Sequence, residues 1–277
     1  MDLEMLKDTP SWEWPEGAGK VFLGVLHDDQ ADESDRVLAA ELAGDFVVIN
    51  DELADALLPI VLNGDEPEEL RARAAISLGP ALECAYTYGF EDPDDVPITE
   101  DTFRRIQESL HKLYMDAAVG KEVRRRVLEA SVRATEDWHR DAILAAYSSD
   151  DEGWRLTAVF CMAYVRGFDD LILEALEDEN PDIHYEAVRA AGEWQLDAAW
   201  PHVTSLVVSE ETDKYLLLAA IDAVTNIRPR EAGVTLVHLT DSDDEDIVEA
   251  ADEAIGISEA LSELGELDED EDDGFTY

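Results

Sequence analysis

One stretch of this chain, NPDIHYEAVRAAGEW (180–194), recurs in altered form along its length, and that recurrence constrains the fold more than any other feature. An apolar residue opens the segment, an alanine follows four positions later, and a glycine closes it nine positions after the opener. Ile183, Ala187 and Gly192 fill these places here; Leu70, Ala74 and Gly79 fill them in EPEELRARAAISLGP, and Ile247, Ala251 and Gly256 in DIVEAADEAIG. The frame Trp154, Ala158, Ala163 keeps the spacing, as do Val123, Val127, Val132 and Tyr215, Ala219, Val224, with other residues in the glycine place. A looser copy, DRVLAAELAG, begins at Asp35. The openers at 123, 154, 183, 215 and 247 are separated by 31, 29, 32 and 32 residues, a step that unrelated amphipathic helices would not keep.

Second helical runs lie between these segments: 51–62, 103–114, 138–147, 169–178, 198–208 and 231–240. Each carries apolar residues three and four apart, so one stripe faces inward. Each repeat is therefore expected to be two helices and a short turn. Neither helix can bury its stripe alone, and stacking on the next pair removes it from water. Asn180-Pro181 reads as a cap followed by a proline whose missing N–H costs nothing, and Thr99-Glu100-Asp101 as a cap followed by first-turn acids. The frame breaks once, at a Pro- and Asp-rich insert expected as a loop over 86–101.

The apolar opener, Arg, Ala-Ala and terminal Gly resemble HEAT repeats, closest to the short variety first described in phycobilisome (bilin) lyases. The Arg that this family carries just after the opener is present as Arg71, Arg124 and Arg155, and gives way to His184, Leu216 and Val248 later. The resemblance spans residues 20–262. It implies an all-α fold, an α-α superhelix of about six to seven two-helix repeats. Residues 1–19 are then an N-terminal cap segment, with Trp12 and Trp14 shielding the end of the stack, and 263–277 an acidic disordered tail.

The resemblance says little about activity, because the fold serves many functions. It suggests an interaction scaffold or adaptor and, as alternatives, a bilin-lyase-like enzyme or lyase subunit, a nucleic-acid-related HEAT-like protein, or a DNA mimic. Charge weighs against nucleic acid as a ligand. Sixty-eight acids against 20 bases leave a formal −48, and a surface this negative repels phosphate backbones and anionic membranes. Basic partners suit it better. No basic-then-apolar leader opens the chain and no apolar run has membrane-spanning length, so a cytoplasmic protein is expected.

Chemical motifs fail one by one. GAGK (17–20) lacks the upstream glycine of a phosphate loop, and Val21 stands where Ser or Thr would hold magnesium. The six histidines show no HxxxH or HExxH spacing, so no metal site is expected. Cys84 and Cys161 sit in helical runs as small apolar groups. His184, in the family's Arg place, reads as a repeat-interface or surface residue. No catalytic residue and no cofactor is expected.

A surface remains. Residues four apart share a helical face, so the third, seventh and eleventh positions of each motif helix are expected to line the concave side. These give Arg125 near one end, then Leu156, Phe160 and Tyr164, then Tyr185 and Arg189, then Leu217 and Ile221. The strip would be apolar and aromatic in its middle and charged towards its ends. An uncharged patch rimmed by charge commonly receives a partner, here a basic segment or an apolar helix or peptide.

Overall fold

The computed structural model describes residues 3–28, 30–92 and 95–272, with side chains described as far as residue 261. Among these residues the chain is helical, with no strand. It divides into two units, residues 1–146 and 147–277.

In the first unit, α1 (Leu3–Lys7), α2 (Ala18–Leu26), α3 (Glu33–Ala43), α4 (Asp51–Leu62) and α5 (Glu68–Ser77) are followed by α6 (Gly79–Tyr88), α7 (Glu100–Met115), α8 (Lys121–Ser131) and α9 (Trp138–Tyr147), whose last residue opens the second unit. Helices α3, α5 and α8 pack side by side in one row, and α2, α4 and α7 in another. Leu53, Leu57, Leu70, Ile106, Leu110 and Leu128 lose all or nearly all their surface where the rows meet. The frame break holds more than a loop. Pro80 in the first turn starts helix α6, and among the described residues of the insert, 89–92 and 95–99 lie outside helices. That stretch is anchored where Thr99 caps α7 and donates its N–H to Asp51 Oδ1 at 2.9 Å.

The two N-terminal tryptophans part company. Trp14 Nε1 donates to the carbonyls of Leu6 and Thr9 at 2.8 and 2.9 Å, and its ring meets Phe22 edge-on at 5.3 Å. Trp12 stays 78% exposed.

In the second unit, α10 (Glu152–Met162), α12 (Pro181–Glu193), α14 (Lys214–Ile227) and α16 (Glu245–Asp272) form a row. Helix α11 (Asp169–Ala175) backs α10 and α12, α13 (Trp200–Val208) backs α14, and α15 (Pro229–Leu236) backs α14 and α16. Asn180 caps α12 by accepting from the Asp182 and Ile183 N–H groups, and Asp213 does the same for α14. Helix α16 takes in the first part of the acidic stretch 263–277, and residues 273–277 of that expected tail lie outside the described residues.

The repeat frame shows in burial. In four repeats the fourth, fifth, seventh and eighth positions after the opener are buried: Ala74, Ala75, Ser77 and, just past its end, Leu78 for α5; Val127, Leu128, Ala130 and Ser131 on α8; Ala158, Val159, Cys161 and Met162 on α10; Ala187, Val188, Ala190 and Ala191 on α12. On α14 the same pattern falls on Ala220, Ile221, Ala223 and Val224, which makes Leu216 the opener. The expected opener, Tyr215, is 77% exposed. The register there is one residue later than the sequence spacing suggests.

Candidate functional site

The arginine after the opener joins helices. Arg71 Nε donates to the Val61 carbonyl at 3.1 Å, and Arg124 Nε to the Tyr114 carbonyl at 2.9 Å. Both carbonyls lie in the last turn of the preceding helix, where no intrahelical N–H remains to meet them. Arg155 pairs with Asp178. Arg36, after the opener Asp35, grips Glu66 through both nitrogens at 2.7 and 2.8 Å. Scarce cations are thus used within the scaffold. In the Arg124–Arg126 cluster, Arg125 is buried with Glu122 at 2.9 Å, and Arg126 contacts Glu122 and Glu129 at 3.0 and 2.6 Å.

Arg125 therefore does not face a groove as the spacing suggested; helix packing in the first unit covers it. Leu217 and Ile221 are also corrected. They are 8% and 2% exposed, because the later register of α14 turns them into the core. Leu218, Asp222 and Asn226 take their place on the α14 surface.

The other expected residues come together in the second unit. Leu156, Phe160 and Tyr164 follow one another along α10 and the turn after it, half-buried, with the Phe160 and Tyr164 rings 5.4 Å apart. On α12, Tyr185 and Arg189 are half-buried, and Arg189 Nη1 lies 2.7 Å from Glu186 Oε2. Desolvation works against the Arg189 charge, but Glu186, Tyr164 and Tyr185 more than offset it and hold its pKa above the ordinary value. On α14, Asp222 is exposed by area and accepts from Asn226 Nδ2 at 3.2 Å. Crowding by the flanking helices desolvates its carboxyl and pushes the pKa up; Asn226 and Arg189 pull it down, and Glu253 of α16 adds to the rise. Beside α16 opens a cavity of about 720 Å³, lined by Ser242, Glu245, Val248, Glu249, Asp252 and Glu253.

The row thus presents an aromatic and aliphatic end on α10, a tyrosine–arginine step on α12, and a carboxylate end on α14 and α16. Within the second-unit row the apolar part therefore lies on α10.

Sequence spacing missed one pair of residues. His184 on α12 and His202 on α13 meet with Nε2 atoms 2.8 Å apart, and His202 Nδ1 lies 3.3 Å from Glu177 Oε1. They are too far apart in sequence to form a motif, and only the packing of α13 brings them together. Among the described residues, no group of three or more His, Cys, Asp or Glu is arranged to hold a metal ion, and no helix is long and apolar enough to cross a membrane.

Rows of helix pairs in a repeated burial frame define a helical-repeat protein. The family model of HEAT repeats matches residues 168–256, which run from the residue before α11 into α16. Over that segment the chain is similar to HEAT repeats, and the all-helical repeat fold agrees with the match. No curated protein matches it significantly. Similar solved structures include an engineered protein at 17% identity, covering 75% of this chain and 96% of that one with a TM-score of 0.45. Human deoxyhypusine hydroxylase in complex with glycerol is 15% identical, covering 93% of this chain and 88% of that one, with a TM-score of 0.42. Escherichia coli YibA is 15% identical, covering 92% and 90%, with a TM-score of 0.43.

Proposed function

We propose that this protein is a non-catalytic interaction scaffold whose second unit receives a segment of a partner protein on the α10–α12–α14–α16 row. The observation that carries this reading is the graded surface itself. Half-buried Leu156, Phe160 and Tyr185 offer apolar and aromatic contact next to Asp222 and Glu253, which favour a cation. Aromatic side chains and arginine contribute most per residue at interfaces, while carboxylates on the rim chiefly set orientation and encounter rate. The segment this face suits carries an apolar anchor for the α10 end and basic side chains for the α14 and α16 end. The −48 charge of the chain works in the same direction, attracting basic partners from a distance and turning away polyanions.

Affinity capture from host extract with the intact chain, compared with Phe160→Asp and Asp222→Lys variants, tests the reading. A partner held by the intact chain and by Val234→Asp, which changes a residue 86% exposed on α15, but lost with the other two, is the expected result. Equal capture by all four proteins removes this face from consideration.

A further inference from the structure

We propose that His184 and His202 form a two-nitrogen clamp for a divalent transition-metal cation such as zinc or copper, the metal taking the place of the hydrogen bond between the two rings while the donating ring's proton moves to its Nδ1.

The geometry has three parts. Two Nε2 atoms converge at 2.8 Å, so one ring donates its Nε2–H to the Nε2 lone pair of the other. The rings meet nearly at right angles, 78° between planes with centroids 5.0 Å apart, which lets both nitrogens aim at one point without stacking. Behind His202, Glu177 Oε1 lies 3.3 Å from Nδ1. A carboxylate there fixes the Nδ1–H tautomer and leaves the Nε2 lone pair free, the arrangement that orients metal-binding imidazoles.

Size fits as well. Zinc–imidazole bonds of about 2.0–2.1 Å at a tetrahedral angle place two nitrogens about 3.3–3.4 Å apart. Opening the pair from 2.8 Å to that separation takes roughly half an ångström, within reach of side-chain torsions in two half-buried rings. Water completes the coordination. Asp178 stays paired with Arg155, and Asp213 stays at the N-cap of α14. Together with Glu177 they act on the His184 ring as fixed negative charges that favour a cation there.

The position in the repeat gives the clamp a role. His184 stands one residue after its opener, where Arg36, Arg71, Arg124 and Arg155 join helices with a permanent charge. Here the joining charge is exchangeable. Imidazole pairs suit zinc, copper and nickel, whereas magnesium and calcium prefer the carboxylates that abound elsewhere on this chain.

The test is a zinc titration of the untagged full chain at neutral pH in excess magnesium, which occupies the carboxylates. One saturable site is expected. His184→Gln and His202→Gln should each weaken it by tenfold or more, and Glu177→Gln by about tenfold. Copper(II) on the wild-type chain should give an electron paramagnetic resonance spectrum with coupling to two nitrogens. Absence of saturable zinc binding over magnesium, or unchanged affinity in both histidine variants, overturns the proposal. If those variants do not fold, the copper spectrum decides, and oxygen-only ligation overturns it equally.

Discussion

Gly192 on α12 approaches α14 so closely that a methyl group added to it would sit 2.9 Å from the Ala223 Cα and 3.1 Å from its Cβ. The close-packed partner is backbone, which cannot swing aside, so the two helices must separate to admit even one carbon. This explains glycine at the end of this motif segment sterically. Gly44 repeats the relationship against Ser77, 2.6 Å from its Cβ. Gly256 does not, since nothing lies within 4 Å of the position a Cβ would take. Gly192→Ala should therefore destabilise the second unit by about 1–3 kcal/mol, the usual cost of overpacking. Gly256→Ala should be neutral or stabilising by up to about 1 kcal/mol, from helix propensity alone. Urea unfolding of the two variants compares them directly; equal and opposite ranking would show that the glycine place has no packing role.

The arginine after the opener predicts a second contrast. Arg71 is buried and supplies a charged donor to the Val61 carbonyl at 3.1 Å, near the end of α4. Hydrogen bonds to charged groups contribute about 1.5–3 kcal/mol, and truncation also leaves the carbonyl unsatisfied. Arg71→Ala should lower stability by at least that amount. Arg104, paired with Glu100 one turn away and 64% exposed, should lose at most a few tenths of a kcal/mol on the same change. Thermal melts of both variants in low and high salt provide the check. Only the Arg104 effect should fade with salt, because exposed pairs are screened and buried ones are not.

The repeat architecture was legible because burial in a helix row imposes a pattern four, five, seven and eight residues after the opener on α5, α8, α10, α12 and α14, and alanine recurs in it. The candidate face was legible only in part. On α10 and α12 the opener is unambiguous, so Leu156, Phe160, Tyr185 and Arg189 fall where expected. On α14 the run KYLLLAAIDAV offers Tyr215 and Leu216 equally as openers, and one residue turns a helix by about 100°. Apolar run and apolar groove cannot be told apart there without the neighbouring helices. Arg125 escaped for another reason: a charged side chain reads as exposed until its partners, Glu122 and Glu129, are seen beside it. The His184–His202 contact joins two helices and leaves no local spacing to notice.

The α14 register is itself testable. Ile221, 2% exposed, should tolerate neither charge nor truncation, and Ile221→Ala should cost about 2–5 kcal/mol. Asp222→Ala, one residue on, should leave stability within about 0.5 kcal/mol, as surface changes do. Chemical denaturation monitored by helical circular dichroism distinguishes the two registers. If Asp222→Ala proves the more damaging, the helix is rotated from the orientation described.

Acid sensitivity of the first unit should come largely from His139. This side chain is completely buried; the Glu136 N–H donates to its Nδ1 at 2.8 Å, and Nε2 lies 3.0 Å from Ser131 Oγ, which donates in turn to the Leu128 carbonyl at 3.2 Å. These partners suit the neutral Nε2–H tautomer. Burial, the largest influence, drives the pKa from 6.5 down to about 4; the Glu136 carbonyl, 3.2 Å from Nδ1, opposes this, and His111, stacked on Trp138 at 4.7 Å, reinforces it. Above pH 6.5 the group is neutral in both folded and unfolded chains and costs nothing. As pH falls below 6.5 the unfolded chain takes up a proton that the folded chain refuses, so stability declines by about 1.4 kcal/mol per pH unit. The loss levels off near pH 4 at roughly 3 kcal/mol, the folded form then being protonated as well. Carboxylates titrate mainly below pH 5, which leaves the interval from 7 to 5 for the measurement. His139→Gln should be less stable at neutral pH yet lose less stability across that interval. Taking the difference between variant and wild type cancels the contribution of His184, whose pKa is lowered in the same direction. Parallel pH profiles for the two proteins would show that His139 is already charged in the folded chain, against the hydrogen bonding described.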